Sequence, residues 1–316
     1  GILYGALGEI LTEKSGNLNL GIPGMMYMGG IAGLIGAFLY ENSSAAPNGA
    51  VGVLISFLCA FLCAALGGLI YSVLTITLRA NQNVTGLALT TFGIGVGNFF
   101  GGSLITITGA DVPSISLSAT SNIFKTTLPF ASKLGAVGEV LFSYSFLAYL
   151  AIIIALLCSY LLKKTRVGLH LRAVGESPTT ADAAGINVSR YKYAATCIGS
   201  AIAGLGGLYY VMDYANGVWS NNAFGDRGWL AVALVIFTTW KPLNAIWGSY
   251  LFGLLYWLYQ FLPTLLHISV PGYVTDLIQM VPYLVTIVVL VVTSLRKKRE
   301  NQPPASLGLA YFREER

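Results

Sequence analysis

The chain has 316 residues, of which 55% are hydrophobic and only 10% are charged, and its formal net charge is +5. Soluble domains carry roughly 25% charged residues, so this composition, with a mean hydropathy of +0.70, excludes an ordinary soluble enzyme. It predicts an all-α, polytopic integral membrane protein. The positive charge does not indicate nucleic-acid binding, because the basic residues follow the pattern of a membrane topology.

Long apolar runs follow one another along the chain, near residues 1–12, 21–40, 51–78, 84–107, 143–162, 193–215, 228–240, 243–262 and 274–294. A spanning helix needs about 20 apolar residues, so we expect about 8–10 transmembrane helices, some of them broken or re-entrant. The run at 21–40 is interrupted by glycines and the run at 228–240 is short, so both are expected to be discontinuous. The given sequence begins inside an apolar run, so residues of the first helix are expected to precede Gly1.

The basic residues predict the orientation of the chain in the membrane, because cytoplasmic loops carry an excess of Lys and Arg. If the cluster at 296–299 is cytoplasmic, alternation of the helices leaves only three of the 18 basic residues outside, namely Lys125, Lys133 and Arg227. This places the polar stretch 163–192 in the cytoplasm and the stretch 108–142 outside. The transmembrane domain is therefore predicted over 1–295, followed by a cytoplasmic basic tail at 296–316.

The cytoplasmic stretch 163–192 contains the sequence of a short helix. Ser177 and Pro178 are typical of a helix start, and Gly185 is typical of a helix end. The outer stretch 108–142 is predicted either to receive a partner or to cap the bundle.

Small residues repeat every four positions in two of the apolar runs. This spacing lets helix backbones approach closely, and it predicts tight packing at Gly29, Gly33 and Ala37, and at Gly199, Ala203 and Gly207.

Signals of an enzyme are nearly absent from the sequence. It has no phosphate-binding loop motif, and its two histidines, His170 and His267, fall on opposite sides of the predicted membrane. The four cysteines lie inside apolar runs and have no ligand partners at metal spacing. We therefore expect no catalytic residue, no metal, no disulfide and no cofactor.

Polar and aromatic residues in the apolar runs are candidates for a substrate pathway, because polar groups in a membrane are costly. The amides can bind a neutral polar solute, and the aromatic rings can stack on a flat one; the candidates are Asn19, Asn81, Gln82, Asn83, Phe92, Asn98 and Trp229. Alternatively, Asn81 and Gln82 cap a helix and the aromatic residues serve only packing. Glu9 and Asp213 are the acidic residues expected to fall in or near the membrane. No histidine that could relay a proton lies near either of them in the sequence, so we expect a structural role, or a position near the interface, rather than proton transport.

Five stretches of the sequence carry motifs that are found together in one family. They are SGNLNLGIPGMMYMGG at 15–30, RANQNVTGLALTTFGIGVG at 79–97, AVGESPTTADAAGINVSRYK at 173–192, GDRGWLAVALVIFTTWKPLNAIWGSYLFG at 225–253 and the tail QPPASLGLAYFREER at 302–316. These stretches resemble the membrane permease subunits of bacterial ABC importers for nucleosides and simple sugars. The resemblance covers most of the chain. It extends more distantly to branched-chain amino acid and ribose permeases.

This resemblance implies a multi-pass protein of the bacterial cell membrane that has no ATPase activity of its own. It implies partners as well: cytoplasmic ATP-binding subunits, a second, related permease in a heterodimer, and an extracytoplasmic substrate-binding lipoprotein. The segment similar to the family's ATPase-coupling helix provides the candidate docking residues Glu176, Ser177, Pro178, Ala181, Asp182, Ala184, Gly185 and Ile186. The rival interpretations are a permease for sugars or branched-chain amino acids, a proton-coupled carrier, and a passive channel.

Overall fold

The computed structural model describes residues 1–108, 114–115, 118–126, 142–266, 271–296 and 301–313. Within these ranges the chain is helical, apart from loops and one isolated bridge between Ser114 and Val218. Most of the predicted outer stretch 108–142, the basic residues 297–299 and His267 lie outside the described residues.

The described helices confirm the all-α fold class. They are α1 (Ile2–Glu13), α2 (Ile22–Ser43), α3 (Gly49–Ser72), α4 (Gln82–Thr108), α5 (Ala119–Phe124), α6 (Phe146–Lys164), α7 (Arg166–Glu176), α8 (Pro178–Ala183), α9 (Val188–Tyr209), α10 (Arg227–Phe237), α11 (Pro242–Leu266), α12 (Gly272–Gln279) and α13 (Val281–Arg296). In the described part of the chain, six helical segments are long and apolar enough to cross a membrane, and α10 is a shorter apolar helix.

The helices are arranged as an inner group within an outer group. Every residue of α1 is buried, and α1 packs against α9, α10 and α11. The outer helices expose apolar ridges instead: on α3, leucines spaced four residues apart are all exposed, at positions Leu54, Leu58, Leu62 and Leu66. A helix with an exposed apolar face is typical of contact with lipid or a partner membrane subunit.

Glycines bring the backbones of the inner helices into contact. A Cβ atom at Gly29 of α2 would lie 2.4 Å from Gly204 Cα of α9, and one at Gly8 of α1 would lie 2.2 Å from the carbonyl oxygen of Gly199. The close packing predicted for the small-residue positions is therefore confirmed. The predicted break in the run 21–40 is wrong, because α2 is continuous from Ile22 to Ser43 and its glycines serve helix contact.

Two helices end in a turn of π-helix. Val73–Thr77 continues α3, and Tyr210–Tyr214 continues α9. The run at 228–240 forms only the short α10, as expected, and the chain then turns at Thr239 and Trp240, which have φ angles of 54° and 55°.

Candidate functional site

The predicted short helix of the loop 163–192 is present as α8. Ser177 Oγ accepts a hydrogen bond from the Thr180 backbone N–H at 3.3 Å, and Pro178 occupies the first helical position. Gly185 follows at φ +84°, a backbone conformation that favours glycine. Local sequence therefore determines where α8 begins and ends.

One face of α8, together with the two residues that follow the helix, is exposed and built from small residues; we call this surface the exposed face of α8. Thr179, Ala183, Ala184 and Gly185 are exposed, so a partner backbone can approach this face closely. Ala181 does not belong to it: its side chain is buried in a small apolar cluster with residues of α7 and α9.

Helix α7 packs against the buried face of α8. This helix was not predicted from the sequence. Thr165 Oγ1 caps it by accepting from the Gly168 N–H at 3.1 Å. At its other end, a Cβ at Gly175 would lie 2.3 Å from the Lys14 carbonyl oxygen, so α7 touches the loop after α1. Burial lowers the pKa of Lys14, and the nearby carboxylate of Glu176 acts in the opposite direction. Glu176 therefore interacts electrostatically with its own chain.

A segment that we call the strap, residues 301–313, returns across the same end of the bundle. Ser306 donates to the Gly175 carbonyl oxygen from both its backbone N (3.1 Å) and its Oγ (2.6 Å). Gly308 N donates to the Gly16 carbonyl oxygen at 3.1 Å. The strap thus joins the end of α7 to the α1–α2 loop.

The strap also reaches the start of α4. Gln82 Nε2 donates to the Leu309 carbonyl oxygen at 3.4 Å, and the guanidinium of Arg79 lies 4.6 Å from the ring centroid of Phe312. This cation–π contact and the hydrogen bond fasten the far part of the strap to the α3–α4 connection.

The strap ends beside α8 itself. Tyr311 OH donates to Asp182 Oδ2 at 2.9 Å, and Arg313 Nε lies 3.4 Å from the same oxygen. A cleft of about 530 Å³ opens between the strap, α8 and the end of α3, and Arg79, Asp182, Ile186 and Tyr311 are among its lining residues. Asp182, which we expected to meet a partner, is thus bound by its own chain in this structure.

Two of the candidate pathway amides lie inside a buried polar network. Asn19 is fully buried; its backbone N donates to Glu9 Oε1 at 3.0 Å, and its Oδ1 accepts from Gly21 N at 3.0 Å. Gln82 Oε1 accepts from Leu18 N at 2.7 Å. These contacts satisfy the backbone of the α1–α2 loop, and sequence reasoning had not distinguished this role from pathway lining.

Asn81 is a helix cap, since its Oδ1 accepts from Val84 N at 3.1 Å. Asn83 and Phe92 are exposed on α4. The structure does not bring Asn83 and Phe92 together with the buried amides.

Asn98 and Trp229 lie toward the other end of the bundle, away from α8. Asn98 Nδ2 donates to Asn222 Oδ1 at 2.9 Å, and Asn222 N donates to Asn98 Oδ1 at 3.1 Å. Trp229 is half-buried in the first turn of α10. Asn98 therefore anchors the loop between α9 and α10.

Comparisons with known proteins agree with this architecture. The chain is 32% identical to a candidate glucose ABC transporter permease protein of Haloferax volcanii, over 80% of this chain and 72% of the relative. It is 29% identical to a nucleoside ABC transporter permease protein of Lactococcus lactis, over 92% and 87% of the two chains. It is also 29% identical to a guanosine ABC transporter permease protein of Bacillus subtilis, over 80% and 76%.

No solved structure matches the chain. The family described as the permease component of the branched-chain amino acid transport system matches residues 2–290. The apolar outer helices fit a multi-pass protein of the cell membrane. The chain belongs to this family of ABC transporter permeases.

Proposed function

We propose that the protein forms the translocation pathway of an ATP-driven nucleoside importer, in which α8 docks into a cytoplasmic ATP-binding subunit. The observation that carries the proposal is the capped helix α8, whose exposed face consists of small residues and whose buried face rests on α7. Small residues allow close seating in a groove, and contacts of Ala181 and Asp182 connect α8 to α7, α9 and the strap. Nucleoside cargo is supported by the two relatives with that cargo in their names.

The partners follow from this role. The ATPase activity belongs to the separate ATP-binding subunits, a second, related permease completes the pathway as a heterodimer, and an extracytoplasmic lipoprotein delivers the cargo. The exposed apolar ridge of α3 supports contact with lipid or with the second permease.

Simple sugars are the second candidate cargo. The Haloferax volcanii relative supports them. The two cargoes differ in the flat, heteroaromatic ring that only nucleosides carry, so competition during uptake separates them.

The test is ATP-driven uptake of radiolabelled nucleoside by proteoliposomes that contain the complete importer. Ala184→Trp places a bulky side chain on the exposed face of α8 and should lower both uptake and co-purification of the ATP-binding subunit by at least about tenfold, as expected for an interface centre. Ala45→Trp, in an exposed loop before α3, is the matched control and should change neither.

Uptake by the wild-type importer that needs no ATP and collapses with the proton gradient would contradict the proposal and favour a secondary carrier. Unchanged uptake in Ala184→Trp would contradict docking through α8. Competition by glucose, with none by nucleosides, would leave the importer in place and reassign its cargo.

A further inference from the structure

A cavity of about 180 Å³ lies at the end of the bundle opposite α8, where α9 passes into the loop before α10. Helix α9 begins next to α8 and runs 22 residues to Tyr209, so this loop emerges at the other side of the membrane. The side chains that line the cavity include Tyr210, Tyr214, Trp219, Ser220, Phe224 and Arg227. Trp219 and Phe224 form a buried floor, whereas Tyr214 is 42% exposed and Ser220 is exposed at the mouth.

The aromatic floor of the cavity is held by packing against α2 and α4. The ring centroids of Phe224 and Tyr27 are 4.4 Å apart, and those of Phe224 and Trp219 are 5.7 Å apart. Trp219 also fills the space beside α4, because a Cβ at Gly101 would lie 2.0 Å from its Nε1. The floor is therefore fixed before any ligand arrives, which lowers the entropy lost on binding.

The backbone around the cavity is held in uncommon conformations. Tyr210–Tyr214 is a π-helical turn, a feature often found at functional sites. Asn216 and Asn222 have φ angles of 55° and 56°, in the left-handed region that most residues avoid. Two hydrogen bonds hold Asn222 in place: one is donated by Asn98 Nδ2, and the other is donated by Asn222 N to Asn98 Oδ1. Such conformations persist where surrounding contacts impose them, so the loop beside the cavity is held in a defined shape.

Arg227 supplies the polar wall. Its Cζ lies 4.7 Å from the ring centroid of Tyr214 and 5.1 Å from that of Tyr210, and its Nη1 donates to the Ala223 carbonyl oxygen at 2.9 Å. A guanidinium has five N–H donors. The contact with Ala223 uses one nitrogen, so the planar group retains donors for a ligand with acceptor atoms.

This combination fits a flat heteroaromatic ring. Aromatic side chains stack on the faces of nucleobases, and arginine N–H groups bind their ring nitrogen and carbonyl acceptors. A hexose offers hydroxyl groups and C–H faces, but it has no flat heteroaromatic ring to stack on Tyr214.

We propose that this cavity binds the nucleobase of the cargo at the extracytoplasmic end of the pathway, above the floor of Trp219 and Phe224, with Tyr214 as stacking wall and Arg227 as donor. This inference rests on the proposed nucleoside cargo. It adds a binding site within the permease, separate from the substrate-binding lipoprotein.

The test measures equilibrium binding of guanosine, uridine and glucose to the permease–ATPase complex in lipid nanodiscs. The substrate-binding lipoprotein is left out, so that only sites within the membrane complex are measured. Tyr214→Ala removes the stacking wall and should raise the Kd for both nucleosides about tenfold, whereas Tyr214→Trp should keep it within about twofold. Tyr160→Ala removes an exposed tyrosine on α6, away from the cavity, and should change nothing.

Ala223→Phe fills the cavity without removing an aromatic wall, and it decides the question if Tyr214→Ala fails to assemble. It should abolish nucleoside binding. Nucleoside Kd values that are unchanged in Tyr214→Ala and in Ala223→Phe would overturn the site, even if the wild-type importer accumulates nucleosides. Binding of glucose in place of nucleosides would overturn the assignment to a base, and failure of wild-type uptake would refute the proposed function itself.

Discussion

Gly207 offers the sharpest test of the backbone contact between α2 and α9. A Cβ atom at this position would lie 1.8 Å from the Met26 carbonyl oxygen and 2.9 Å from Gly30 N. Because both atoms belong to the backbone, no side-chain rotamer can relieve the clash. An ordinary contact begins at 3.4 Å, so Gly207→Ala requires the two helices to separate by about 1.6 Å, the difference between 3.4 and 1.8 Å.

Overpacking of this kind costs about 1–3 kcal/mol, and replacing glycine by alanine inside a helix returns roughly 0.5–1 kcal/mol. We expect Gly207→Ala to destabilise the protein by about 1–2 kcal/mol. The measurement is the temperature at which half of the detergent-solubilised protein is lost from its monodisperse size-exclusion peak.

Gly95 of α4 is the matched control, because no atom beyond the surrounding turns of its own helix backbone lies within 4 Å of a Cβ built there. Gly95→Ala should leave the midpoint temperature unchanged or raise it slightly. Equal midpoints for the two variants would refute the close approach of α2 and α9.

Three further substitutions test the polar contacts. Asn98→Ala removes both hydrogen bonds to Asn222. It should lower the free energy of local opening of residues 216–226 by about 1–3 kcal/mol and so speed their amide hydrogen exchange. Unchanged exchange would show that other contacts hold the loop. Gln82→Leu leaves the part-buried Leu18 N–H without its acceptor and should lower the free energy of unfolding by about 1–3 kcal/mol, a loss that Gln82→Glu, which keeps an acceptor, should largely avoid. Tyr311→Phe removes the hydrogen bond to the carboxylate on α8 and should make the strap more accessible to limited proteolysis, and identical cleavage rates would count against that bond.

The sequence predicts α8 well because its boundaries are local. A capping serine, a proline at the first turn and a glycine in the left-handed region lie within nine residues of one another, so no distant contact is needed to read them. The fold class is equally accessible, because the length of the apolar runs reflects the thickness of the bilayer.

The strap was not predicted, because its bonds connect residues far apart in sequence. Ser306 meets Gly175 across 131 positions, and the segment around it has neither helical nor strand periodicity. Only the assembled bundle brings the two carbonyl acceptors of Gly16 and Gly175 to the same surface.

The amide side chains illustrate a second limit. A polar residue in an apolar sequence is expected to be functional, but the rule does not separate a pathway wall from a bond that satisfies buried backbone. Asn19 and Gln82 make bonds of the second kind in this structure, and their place in a substrate pathway stays a prediction. The aromatic cavity was not predicted, because Tyr210 and Tyr214 occur in an apolar run that resembles any other. Both residues line the cavity from a π-helical turn, and the sequence does not reveal that turn.

The strap also bears on the biogenesis of the protein. Residues 301–313 follow the described membrane helices in the chain, and chains fold from the N-terminus during synthesis. The bundle can therefore insert and pack before the strap exists, while Asp182 still lacks its bond to Tyr311. Until the strap is made, the carbonyl oxygens of Gly16 and Gly175 lack the donors that Gly308 and Ser306 supply, so this end of the bundle is the last part of the described structure to be completed.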